Sequence, residues 1–311
     1  MTSTVLITAS HWADAAQQRL REAGLELIFM EGPVNEDTLI QAFQARPIAG
    51  VVARGPAPFT ARVMDSARQL RVIAKNGAGV DSVDLQAAAR LGIQVKAAAG
   101  ANADAVAEHA LALMLALVRQ LPGLDRQTRS GQWPHSGYQG RDFRGSVVGL
   151  IGFGSIGRKT AHLASSLGAR VCVYRRSDRP IDCEYEQVTD LHRFLSQLDI
   201  LSLHCPLNEQ TRGLIGAREL AALPVGALLI NTARGPVVDE EALLAALQQG
   251  HLTGAGLDTF DTEPLPPTHP FNQLPQVILT PHVAGVTRQA ALKVALMTAD
   301  NVLQGLALNR V

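Results

Sequence analysis

The sequence predicts an α/β protein of two domains, each a doubly wound parallel sheet. Three observations carry that prediction. Short apolar runs alternate with helical patterns over about residues 1–100, and the alternation restarts at Ser146. A glycine turn, Gly152-Phe153-Gly154-Ser155-Ile156-Gly157, joins an apolar run to a helical stretch. The chain has 311 residues, 47% of them hydrophobic, which is enough for two ordinary domains with sizeable cores.

The elements follow in order. Residues 4–10, TVLITAS, are apolar enough for a buried strand, and residues 12–23 carry a helical pattern. GLELIFM is strand-like, and EDTLIQAFQAR is an amphipathic helix. IAGVVARG is a strand ending at Arg54-Gly55; LRVIAKNGAGVDSVDL is a strand running into a glycine-bearing loop; IQVKAAA is another short strand. Residues 103–121 form a long helical pattern, apolar on most faces, as suits a buried helix at a domain or subunit boundary. Residues 122–145 are less regular. The second series has strand candidates at 147–151, 170–174, 199–204, 226–231, 253–257 and 276–280, with helical patterns between most of them. The last segment is a helix with Thr287 placed to cap it.

Composition narrows the partners. Twenty-eight basic and 28 acidic residues give a formal net charge of zero, which argues against nucleic acid or an anionic membrane. Cys172, Cys183 and Cys205 form no CxxC or metal-ligand spacing, so no metal is expected and a reduced, cytoplasmic setting is. The N-terminal segment lacks the basic and long apolar regions of a signal peptide, and the most apolar stretch, Ala110 to Val118, is too short to span a bilayer. A small molecule is the expected partner.

The glycine turn gains meaning from its context. The apolar run 147–151 precedes it, the helical RKTAHLASSLG follows, and the strand-like RVCVYR closes the unit. Gly152 permits the tight turn, Gly154 lets a pyrophosphate approach the backbone, and Gly157 lets helix and strand pack closely. Ser155 and Ile156 open the helix whose N-terminal end would face the phosphates. A dinucleotide site normally has an acid at the end of the second strand, where it holds the ribose hydroxyls. Here Arg175, Arg176 and Ser177 stand there instead. Guanidinium groups suit phosphate geometry, so the expected cofactor is NADP(H), with NAD(H) second.

Further chemistry-bearing residues lie just past strand candidates: Arg234 in INTARGPVVDEEAL, Asp258 and Glu263 in GAGLDTFDTEP, and His282 in TPHVAG. An open parallel sheet gathers its ligands at such strand ends. Together with NGAGVD, VAEHALALML, VGLIGFGSIG and HCPLNEQT, these stretches resemble the D-isomer-specific 2-hydroxyacid dehydrogenase family over nearly the full chain. The resemblance implies a Rossmann cofactor domain at 101–281 and a flavodoxin-like substrate domain at 1–100 and 282–311. It also implies an active site in the cleft and a homodimer.

The same resemblance implies residue roles. Arg234 would bind the substrate carboxylate and carbonyl. His282 would give the carbonyl oxygen its proton, with Glu263 hydrogen-bonding the imidazole and favouring its charged form. Asp258 would orient the nicotinamide carboxamide. Cys205, Pro206 and Thr211 would line the cofactor site, as would Thr232 and Ala233. The backbone of Ala78 and Gly79 would grip the substrate carboxylate. His109, on a mostly apolar helix, is read as structural.

Substrate class is narrowed less far. The formate dehydrogenase pattern has Gln where Glu263 stands. Arg54 and Lys75 fall where phosphoglycerate enzymes of the family carry basic residues, so a substrate phosphate or second carboxylate is one use for them. The arginine pair favours a reductase, since cells keep NADPH reduced. The expected activity is NADPH-dependent reduction of glyoxylate, hydroxypyruvate or a similar 2-ketoacid. A phosphoglycerate-type dehydrogenase using NAD is the enzymatic alternative. A dinucleotide-sensing corepressor is the alternative of another class, and turnover separates it from both.

Overall fold

The computed structural model describes residues 3–176 and 182–307. The chain divides into two compact units, one of residues 1–102 and 286–311, the other of residues 103–285.

The first unit holds five parallel strands: β1 (Thr4–Ile7), β2 (Glu26–Phe29), β3 (Ile48–Ala53), β4 (Val72–Lys75) and β5 (Gln94–Ala97). Their order, β2-β1-β3-β4-β5, is the flavodoxin-like one. Helices α1 (Asp14–Glu22), α2 (Glu36–Ala45), α3 (Ala61–Ser66) and α4 (Leu85–Arg90) connect them. Alternate strand residues point to opposite faces. Leu6, Val51 and Ile73 therefore join Leu39, Phe43 and Met64 in one core layer. Val5, Ile7, Val52 and Val72 join Leu20, Ala299 and Val302 in the other. Helices α3 and α4 have six residues each, too few for a readable apolar period. Their caps are in the sequence all the same: Thr60 accepts from the Val63 N–H and Asp84 from the Ala87 N–H.

The second unit begins with α5 (Ala103–Val118), which ends earlier than the apolar pattern suggests. Gln120 has a left-handed φ of 52°, and the separate helix α6 (Leu121–Arg129) follows with no buried side chain. Helices α7 (Ser155–Ser166), α8 (Leu191–Leu195), α9 (Ala217–Ala222) and α10 (Glu240–Gln248) lie among seven parallel strands. These are β6 (Val147–Ile151), β7 (Arg170–Tyr174), β8 (Glu186–Val188), β9 (Ile200–Leu203), β10 (Ala227–Asn231), β11 (Leu252–Leu257) and β12 (Val277–Leu279). The order β12-β11-β10-β9-β6-β7-β8 is the Rossmann arrangement with one further strand. Helix α5 covers β11 at close range. A Cβ on Gly256 would sit 3.0 Å from the Leu113 Cβ, so the glycine brings helix and sheet together. The final helix, α11 (Arg288–Gly305), packs in the first unit, and Thr287 caps it by accepting from the Ala290 N–H at 3.0 Å. Among the described residues no single helix is long and apolar enough to cross a membrane.

The unit boundary falls after Gly285, so residues 282–285, expected with the first domain, pack with the second. The cause is local: the His282 N–H bonds the Asp258 carbonyl at 2.8 Å, and the next two N–H groups bond the Asp258 carboxylate.

Candidate active site

The glycine turn follows β6 directly. Gly152 has φ 96°, and a Cβ there would lie 2.6 Å from the His204 carbonyl carbon. The turn is therefore pressed against the chain leaving β9, and His204 N–H bonds the Ile151 carbonyl at 2.8 Å. A Cβ on Gly157 would run into the Gly152 carbonyl oxygen, whereas one on Gly154 would meet nothing within 4 Å. Gly154 is the N-cap of α7 and brings no side-chain acceptor to its N–H groups. Gly154 thus leaves open space at the start of the helix that Ser155, Ile156 and Gly157 begin, as a phosphate cradle requires.

Buried polar atoms support a ligand at this edge of the sheet. His204 Nδ1, Thr232 Oγ1 and Thr259 Oγ1 are buried without a hydrogen-bond partner. They lie just past β9, β10 and β11, which are neighbours in the sheet. Such atoms are rare in native proteins and call for a reason. Together with the open helix end, they fit a bound dinucleotide.

Arg175 follows β7, half-buried, and Arg176 is exposed, with Nη2 donating to Gln210 Oε1 at 2.6 Å. Ser177 lies outside the described residues. A third cation went unread in the sequence: Arg158 stacks 4.7 Å over the Phe153 ring, inside the turn itself. Cys205 is buried, and burial pushes its thiol up to about 11, so it is no nucleophile at neutral pH. Pro206 and Thr211 belong to one tight loop, with the Thr211 hydroxyl donating to the Pro206 carbonyl at 2.6 Å and accepting from the Asn208 N–H at 2.8 Å.

Three loops after adjacent strands hold the expected reactive groups. Residues 232–235 follow β10. The buried Asn231 staples this loop: its amide donates to the Arg234 carbonyl at 2.9 Å and its Oδ1 accepts from the Ala233 N–H at 3.0 Å. Thr232 and Ala233 are buried beneath, and Arg234 is half-buried, with Nη1 donating to the Ala233 carbonyl at 2.6 Å. A Cβ on Gly235 would collide with the Phe260 carbonyl carbon, so this loop rests directly on the loop after β11. There Glu263 Oε1 accepts from the Phe260 N–H at 3.1 Å. Its Oε2 lies 2.8 Å from His282 Nδ1, on the loop after β12. A carboxylate only accepts, so Nδ1 carries the hydrogen and Nε2 is the atom left for a substrate oxygen. His282 has a left-handed φ of 54°, a conformation His tolerates better than most residues.

Asp258 is held by its own chain. It is 1% exposed, and its carboxylate accepts from Thr280 Oγ1, Val283 N–H and Ala284 N–H at 2.6, 2.9 and 2.9 Å. The group expected to orient a nicotinamide is fixed in place by three bonds from its own chain.

In the first unit, Arg54 Nη1 donates to the His11 carbonyl at 2.6 Å. The buried Lys75 donates to the Gly55 carbonyl at 2.5 Å and to Ser82 Oγ at 2.9 Å. These bonds tie both cations to their own unit. Ala78 and Gly79 lie in the loop after β4, with Ala78 exposed.

The family described as "D-isomer specific 2-hydroxyacid dehydrogenase, NAD binding domain" matches residues 111–284. A glyoxylate reductase of Thermofilum pendens is 41% identical over 250 residues, 78% of this chain and 74% of that one. A D-3-phosphoglycerate dehydrogenase of Archaeoglobus fulgidus is 32% identical over 302 residues, 96% of this chain but 56% of its own length. Among solved structures, an NADPH-dependent glyoxylate/hydroxypyruvate reductase from Sinorhizobium meliloti, in complex with NADP and malonate, superposes with a TM-score of 0.85. It is 29% identical, with 96% of this chain and 92% of that one covered. The protein belongs to the D-isomer specific 2-hydroxyacid dehydrogenase family and is an oxidoreductase with an NAD-binding domain of the Rossmann type.

Proposed function

We propose that the protein reduces a small 2-ketoacid, glyoxylate or hydroxypyruvate in character, to the D-2-hydroxyacid with NADPH. The observation that carries this reading is the 2.8 Å contact between His282 Nδ1 and Glu263 Oε2, on a loop system that also holds Arg234. The reduced nicotinamide, when bound, supplies a hydride. Ser155, Ile156 and Gly157, at the open end of α7, would hold the pyrophosphate, and Arg175 and Arg176 the 2′-phosphate. The Arg234 guanidinium pairs with the substrate carboxylate and fixes the plane of the ketoacid. His282 Nε2 hands its proton to the carbonyl oxygen as negative charge develops there, and Glu263 stabilises the cationic imidazole before transfer. In the reverse direction the same nitrogen takes the hydroxyl proton.

Support for NADPH comes from the two arginines where an acid would select NAD, and from the cofactor dependence of the S. meliloti relative. Oxidation of a phosphorylated hydroxyacid is the second reading, favoured by the A. fulgidus relative. Steady-state rates for glyoxylate, hydroxypyruvate, pyruvate and 3-phosphohydroxypyruvate, each with NADPH and with NADH, test the two. Preference for the phosphorylated acid with NADH would replace the first by the second.

A further inference from the structure

His109, on α5, places Nε2 3.1 Å from Thr280 Oγ1 and 3.8 Å from Asp258 Oδ1. Thr280 Oγ1 in turn lies 2.6 Å from Asp258 Oδ1. A threonine hydroxyl has one proton. The Asp258 carboxylate can only accept, so that proton points to Asp258 and Thr280 shows His109 a lone pair. His109 Nε2 must then be the donor. The direction of the chain is fixed: His109 N–H to Thr280 O–H to Asp258, which receives the Val283 and Ala284 N–H groups at 2.9 Å each.

These bonds converge on the loop that carries His282. Its left-handed φ of 54° is unfavourable for a residue with a Cβ and needs support from its surroundings. Asp258 gives that support twice, through its carbonyl to the His282 N–H at 2.8 Å and through its carboxylate to the next two N–H groups. The carboxylate is itself held by Thr280, and Thr280 by a helix that Gly256 admits close to the sheet.

We infer that His109 and Thr280 are positioning residues for His282: they lock Asp258, and Asp258 locks the loop that aims the imidazole. This deepens the proposed function and rests on His282 being the proton donor there. The experiment uses the full-length variants Thr280→Val, Thr280→Ser, His109→Leu, His109→Gln and the Thr280→Val/His109→Leu double. Four quantities are measured: kcat and KM for ketoacid reduction, the Kd for NADPH, and hydrogen exchange of the peptide spanning 280–286 without ligand. Thr280→Val and His109→Leu should each lower kcat roughly tenfold, with the NADPH Kd changed less than about twofold. The double variant should be no worse than Thr280→Val alone, because both cut one chain. Thr280→Ser and His109→Gln keep a hydroxyl and an N–H donor and should stay near wild type. Exchange at 280–286 should quicken in Thr280→Val and His109→Leu and not in the conservative pair. Unchanged kcat and exchange in Thr280→Val, or losses that multiply in the double variant, would overturn the inference. If the wild type reduces no 2-ketoacid, the proposed function falls, and exchange alone decides: protection lost in Thr280→Val supports the chain, and protection kept overturns it.

Discussion

Glu263 bonds in two directions at once: Oε2 lies 2.8 Å from His282 Nδ1, and Oε1 accepts from the Phe260 N–H at 3.1 Å. One oxygen holds the imidazole and the other fixes the carboxylate to its own loop. Glu263→Gln keeps the shape and removes the charge. The neutral amide stabilises an imidazolium less, and ketoacid reduction needs the protonated ring. The variant should therefore lose about tenfold in kcat/KM for ketoacid reduction, with the NADPH Kd changed less than about twofold. A kcat/KM equal to that of the wild type would exclude Glu263 as the partner.

The proposed use of NADPH makes Arg175 the residue that selects the cofactor. A charge-assisted hydrogen bond contributes about 1.5–3 kcal/mol, so Arg175→Ala should weaken NADPH binding roughly 10- to 100-fold and leave NADH nearly unchanged. Arg175→Asp should go further, repelling the 2′-phosphate while offering the NADH ribose an acceptor. The ratio of kcat/KM for the two cofactors, measured in all three proteins, checks this. A ratio that stays constant would mean that the arginines are only solvated surface.

Arg234 offers a planar fork on a loop stapled by Asn231. Arg234→Ala should lose roughly 100-fold or more in kcat/KM, and Arg234→Lys should recover only part, because an ammonium cannot match two carboxylate oxygens at once. Full recovery with lysine would show that charge alone is needed.

His204 gives a stability signature. Burial pushes its imidazole down to about 4, below the ordinary 6.5 of the unfolded chain. Between those values the unfolded state binds the proton and the folded state resists it. Stability should then fall as pH drops from about 6.5 to about 4, by at most about 3 kcal/mol from this group. His204→Gln should flatten that slope in denaturant midpoints taken at pH 6.5 and 4.5. Equal slopes in the two proteins would refute the assignment.

Much of the architecture was legible because the strands of the second unit are continuous apolar runs between turns. The runs at 147–151 and 170–174 coincide with β6 and β7. The edge strand β8 was not legible, since three residues with an exposed Glu186 leave no pattern. Arg234, Glu263 and His282 could be picked out because each is a reactive side chain just past a buried run. Asn231, Thr280 and His109 could not. Their importance lies in hydrogen bonds across the fold, such as the one joining residues 171 positions apart, and polar residues of that kind are common in any chain. The engagement of Asp258 by its own loop was hidden for the same reason.

If His282 delivers the proton while other parts of the protein hold cofactor and substrate, His282→Ala separates chemistry from binding: kcat for ketoacid reduction is measured beside the NADPH Kd of the same preparation. The kcat should fall roughly 100-fold or more with Kd changed less than about twofold. A kcat near that of the wild type would contradict that role for His282.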